Sequence, residues 1–149
     1  MATQWTAGTT SGQVLTAATL NTIGAAWVDY TPTLTQSATV TKTISYARYC
    51  QFQKTIIAQV FLIATSAGTI ANEVTVGLPI TGTGANFRGI GTGFIYDAST
   101  AIMYNCSAFQ ATSTTAKFFY QGGAGWGTSP NLALANNDQI SFTFIYEAA

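Results

Sequence analysis

Between Thr39 and Tyr46, Val40, Lys42, Ile44 and Tyr46 alternate with Thr39, Thr41, Thr43 and Ser45, the period-two pattern of a half-buried strand. The next run, Thr55 to Thr65, is apolar on both faces through Ile56, Ile57, Val60, Phe61, Leu62 and Ile63. Such a run predicts a central strand between two packed layers. Glu73 to Leu78 is a short strand closed by Pro79, and Phe94-Ile95-Tyr96 is another. Ala101 to Gln110 and Thr114 to Tyr120 form a predicted hairpin through Ala111-Thr112-Ser113. The last strand puts Ile140, Phe142, Phe144 and Tyr146 on one face and Ser141 and Thr143 on the other. Turn signals stand at Ser66 to Thr69 and Asp97 to Ser99, and Gln121 to Asn131 is a Gly-rich loop. Seven to ten short strands with no helix between them predict an all-β fold, a jelly-roll-like antiparallel β-sandwich.

The first 34 residues follow a different pattern. Met1 to Leu15 is small and polar, with few apolar anchors. Thr16 can cap a short helix over about 17–28, in which Leu20, Ile23 and Trp27 share one face. A helix of about twelve residues is marginal alone in water, so this one must pack on something. Pro32 stops any helical continuation. The expected division is therefore a docking arm over 1–34 and a β-sandwich body over 35–149. Trp5, Leu20, Ile23, Trp27, Tyr30 and Leu34 are the arm residues expected to contact a partner.

Composition narrows the partners. The chain has 149 residues, enough for one domain with a full core. Only 7% are charged and the formal net charge is zero, so colloidal repulsion between copies is weak. Much of the surface is expected to be covered by neighbouring subunits. Lys42, Arg48, Lys54, Arg88 and Lys117 are scattered and form no basic run for nucleic acid. No stretch of about 18 apolar residues predicts a membrane span. Nor does the start of the chain carry a secretory pattern, which predicts synthesis in a cytoplasm. There Cys50 and Cys106 are expected to be free, buried thiols.

Candidate chemistry is sparse. The chain has no histidine, which removes Ser-His-Asp and Cys-His arrangements and the commonest metal ligand. Of the five carboxylates, Asp97 and Asp138 sit in turn contexts where Asp is common, and no catalytic residue, cofactor or metal is predicted. A carboxylate-pair glycosidase is the only simple enzymatic reading left. Gly82-Thr83-Gly84 and Gly89-Ile90-Gly91-Thr92-Gly93 lead into a strand rather than a helix, so a loop and bulge are predicted, not a phosphate site. Trp126, set among glycines, is the aromatic expected to anchor another subunit or a sugar, with Asn136, Asn137 and Asp138 as further candidates.

The opening of the chain resembles tailed-bacteriophage virion proteins. In these a Trp and a Gly/Thr turn precede a "vlTAatLN" element, a second Trp and "YTPtlt". The matching residues are Trp5, Gly12, Val14 to Ala18, Leu20-Asn21, Trp27 and Tyr30 to Leu34. Tyr46-Ala47-Arg48-Tyr49 followed by Lys54 is similar to the group's "Y-x-R-x-G-K", with Gln53 in place of the glycine, and Leu78-Pro79 to its strand-ending "LP". The resemblance implies a non-enzymatic structural protein on the virion surface. Its expected form is a homotrimeric capsid decoration protein whose arm docks on the major capsid protein. The alternative is a tail-fibre or minor tail protein that binds other tail proteins or a host surface glycan.

Overall fold

The structure is a computed structural model and describes residues 26–84, 88–121, 123 and 125–149. Among the described residues the regular elements are all strands: β1 (Val28–Asp29), β2 (Leu34–Gln36), β3 (Ala38–Thr39), β4 (Lys42–Phe52), β5 (Thr55–Ala64), β6 (Thr75–Gly77), β7 (Arg88–Asp97), β8 (Ile102–Thr112), β9 (Thr115–Tyr120) and β10 (Gln139–Glu147). They form one sheet in the order β1-β4-β5-β10-β7-β8-β9-β6-β2-β3, every pairing antiparallel.

Chain continuity dictates the shape. β1 stands at one end of the strand order and β2 near the other, yet only residues 30–33 separate them. At about 3.3 Å per residue that link reaches no further than about 17 Å. The sheet therefore curls until its ends approach, and its two halves face each other as the layers of a sandwich. Phe118 of β9 stacks on Phe142 of β10 with centroids 3.9 Å apart, although β7 and β8 lie between those strands in the sheet. That contact crosses the interior. Around it Leu34, Ile56, Leu62, Ile95, Leu134 and Ile140 are fully buried.

The alternation predicted for β10 is present, and β5, predicted apolar on both faces, alternates in burial as well. Ile56, Ala58, Val60, Leu62 and Ala64 point inward from β5, and Ile140, Phe142, Phe144 and Tyr146 from β10. Of the glycine run, Gly82 and Gly84 precede β7 outside any strand, but the second half is not a loop. Gly91 and Gly93 belong to β7 opposite Phe144 and Phe142, and the expected bulge falls between Gly89 and Gly91. A Cβ on Gly93 would collide with the Ser141 carbonyl and the Phe142 ring. Glycine clears the inner face of β7 for the stacked rings.

Three expectations need correction. The Val40-to-Tyr46 face is interrupted by a bulge between Ile44 and Tyr46, which turns Tyr46 outward and Ala47 inward. The boundary drawn after Leu34 runs through β2, which pairs with both β6 and β3. Leu34 is fully buried and the Tyr30 amide donates to the Ala47 carbonyl, so 26–34 is body rather than arm. Finally, Val28 pairs with Tyr49 in β1, so the expected helix does not extend through 28. Its remainder lies outside the described residues. Cys50 and Cys106 are free and buried.

Candidate docking face

With the even-numbered residues of β5 turned inward, its odd-numbered residues look out from the wall β4-β5-β10-β7-β8. Pairing across these strands sets the outward side chains in rows. Tyr46, Phe61, Ser141, Phe94 and Asn105 make one row. Arg48, Gln59, Thr143, Thr92 and Ser107 make the next, and Cys50, Ile57 and Ile145 the one after. A polar row thus lies between an aromatic and an aliphatic one. The face is open in part: Tyr46 is 43% exposed and Ile145 56%, whereas Ile57, Phe61 and Phe94 are half-buried and Cys50 is buried.

Trp27, also 43% exposed, stands at the β1 margin of this wall. The Arg48 guanidinium lies 4.8 Å from its ring centroid and 5.7 Å from that of Tyr46. Arg48 Nε and Nη2 donate to Gln59 Oε1 at 3.3 and 3.1 Å. Asp29 occupies the neighbouring position on β1. Tyr46 packs on Phe61 with centroids 5.9 Å apart. One cation thereby lies within reach of two aromatic rings beside the point where residues 1–25 join the body.

Of the expected arm residues, Trp5, Leu20 and Ile23 lie outside the described residues. Trp27 is surface, Tyr30 is half-buried and Leu34 is core. Tyr30 meets Tyr49 edge-on at 6.0 Å, and burial, with Tyr146 nearby, pushes its phenol well above the ordinary range. It is a packing residue within the body.

Trp126 is not an exposed anchor. It is fully buried, meets Tyr104 edge-on at 5.9 Å, donates its amide to the Phe118 carbonyl at 2.7 Å and accepts from the Val74 amide at 3.1 Å. The flanking glycines make this possible. Gly127 has φ +101°, and a Cβ there would strike the Asn72 carbonyl. The loop folds inward and closes one end of the core with the indole.

Asn136 and Asn137 are exposed, whereas Asp138 is buried and structural. Its carboxylate accepts from the amides of Ala98 at 2.9 Å and Ala135 at 2.8 Å, tying the β7–β8 turn to the entry of β10. Burial raises its pKa, an effect the backbone hydrogen bonds oppose and the Asp97 charge reinforces. At Asp97 burial also pushes upward, but hydrogen bonds from Ser99 and Thr100 outweigh it and hold the group low. Glu73 pairs with Lys117 at 3.1 Å. Three of the five carboxylates are thus engaged in structural contacts. Among the described residues no group of three or more His, Cys, Asp or Glu could hold a metal ion.

Sequence reasoning missed Gln36. Its side chain is fully buried and joins three segments, accepting from the Leu134 amide and donating to the carbonyls of Asn72 and Leu132. Nothing in its Thr/Gln/Ser surroundings distinguishes it from a surface residue.

In comparisons with known proteins, no family model matches the chain, and neither a curated protein nor a solved structure matches it significantly.

Proposed function

We propose that this chain is a structural protein of a bacteriophage particle, a capsid decoration protein that assembles as a homotrimer and is fastened through its N-terminal segment. The observation that carries this reading is the position of Trp27. The second Trp of the phage-like opening stands exposed over Arg48, at the margin of an outward aromatic row and next to the residues that precede the body. Aromatic and arginine side chains presented together are the composition of protein contact sites. The low charge of the chain fits the same role, because hydroxyl-rich and apolar faces pack against neighbours without desolvating many ions. The glycan-binding alternative is less supported, since burial of Trp126 and Asp138 leaves it only Asn136 and Asn137.

The test is particle binding by a chain lacking residues 1–14. Purified particles incubated with the truncated chain should stay bare, while the full chain decorates them in hundreds of copies. Full occupancy by the truncated chain removes the docking role, and a handful of copies at the tail moves the protein there.

A further inference from the structure

β5 is apolar on both faces, yet among the described residues only its inner face is covered by a second layer. Ile57, Phe61 and Ile63 point outward on this central strand, and Tyr46 and Ile145 extend the apolar surface onto β4 and β10. Tyr46 and Ile145 are exposed and Ile57, Phe61 and Ile63 half-buried between them, and a contiguous apolar patch on an outer sheet face marks a contact site. The sequence of β5 is that of a strand between two layers, and the described residues supply one.

We infer that the missing layer is a second copy of this chain, seated on the outer face of the wall β4-β5-β10-β7. Identical faces that meet must be compatible with themselves. The middle row of this wall satisfies that condition: Gln59, Thr143 and Thr92 carry amide and hydroxyl groups, each able to donate and to accept. Charged rows would repel their own images. The one cation in the row, Arg48, is already occupied by Gln59 and two aromatic rings. The apolar rows on either side, Tyr46-Phe61-Phe94 and Ile57-Ile145, provide the area whose removal from water drives association. A net charge of zero leaves no long-range repulsion between copies. A face that meets its own image joins copies in pairs about a two-fold axis, so this contact is separate from the trimer proposed above, and it is independent of which particle the protein belongs to.

The experiment is the solution mass of the full chain by sedimentation equilibrium, for wild type, Ile145→Lys and Ile70→Lys. Ile70 is equally exposed, at 55%, but lies in the loop after β5, away from the wall. Wild type and Ile70→Lys are expected at an even multiple of 15.6 kDa, and Ile145→Lys at half the wild-type mass with an unchanged near-ultraviolet spectrum. A wild type that is monomeric or an odd multiple overturns the inference, as does a multimer whose mass Ile145→Lys leaves unchanged. Should Ile145→Lys fail to fold, Thr143→Cys treated with a short bismaleimide gives a second reading. Covalent dimers from Thr143→Cys, but not from Ile70→Cys, support contact through the wall, and their absence overturns it.

Discussion

The Leu134 amide donates to Gln36 Oε1 at 2.8 Å, a bond between residues 98 positions apart and wholly removed from solvent. Through the same side chain Nε2 reaches the carbonyls of Asn72 at 3.0 Å and Leu132 at 2.8 Å. β2 is therefore tied to the two long loops that close one end of the sandwich. A buried amide in this position stabilises only because each of its polar atoms is matched.

Replacing Gln36 by leucine conserves volume but orphans the Leu134 amide and two carbonyls. Each buried group left unpaired costs about 1–3 kcal/mol. The expected loss for Gln36→Leu is about 3 kcal/mol or more, read as a lower urea midpoint at unchanged slope. Gln36→Glu keeps the acceptor for Leu134 but turns an anion toward two carbonyls, and should be worse at neutral pH than in mild acid. A leucine variant as stable as wild type would remove Gln36 from this role.

Gly93 is expected to resist even alanine. The added Cβ meets the Ser141 backbone carbonyl, which cannot rotate away, and the Phe142 ring that stacks on Phe118. Overpacking a well-filled core costs about 1–3 kcal/mol, and a backbone neighbour puts this site at or above the upper end. Thr92→Ala, on the outward side of the same strand, should change stability by less than about 0.5 kcal/mol. Equal thermal shifts for the two variants would contradict the inward placement of Gly93.

Trp126 and Trp27 should separate in fluorescence. The buried indole emits at shorter wavelength and is shielded from iodide, whereas Trp27 is open to it. With Trp5, the third tryptophan, replaced by phenylalanine throughout, Trp27→Phe is expected to remove quenchable red-edge emission and leave stability nearly unchanged. Trp126→Ala should cost about 3–5 kcal/mol through the cavity it leaves. If iodide quenches the Trp27→Phe and Trp126→Phe chains equally, the buried plug is wrong.

How far these features were legible follows from what each residue depends on. The inward face of β10 depends on alternation alone and follows the pattern of the sequence, whereas two apolar faces on β5 leave open which one turns inward. The phase change at Ile44/Tyr46 depends on one extra residue in β4, which leaves no mark in a run of Thr, Ser and aromatics. Trp126 was misplaced because glycine in sequence signals freedom, whereas Gly125 and Gly127 are small so that the loop can pack against Glu73 and Asn72. From sequence alone Leu34 falls in the arm, because Pro32 marks a boundary there. The proline is buried, and the strand after it closes the sheet. The outer wall was half legible: β5 showed two apolar faces, but the aromatic and polar rows exist only once register is known.

Alkaline pH should unfold the protein from within the core. Burial pushes the Tyr146 phenol up to about 12, although hydrogen bonding at Ile80 opposes the rise. The Tyr146 hydroxyl donates to the Ile80 carbonyl at 2.8 Å and accepts from its amide at 3.2 Å. Burial likewise pushes the Cys106 thiol up to about 12, and Tyr30 is raised as well. In the unfolded chain a thiol titrates near about 8.5 and a phenol near about 10. Between those values and about 12 the folded chain therefore binds more protons than the unfolded one, so stability falls as pH rises. Urea midpoints should be flat near neutrality and decline progressively above pH about 9, where the thiol begins to contribute, and more steeply above about 10, where the phenols join it. Tyr146→Phe loses both hydrogen bonds to Ile80 and so starts lower, but with one proton fewer at stake its decline above pH about 10 should be shallower. Parallel declines in the two chains would show that Tyr146 titrates alike in the folded and unfolded states.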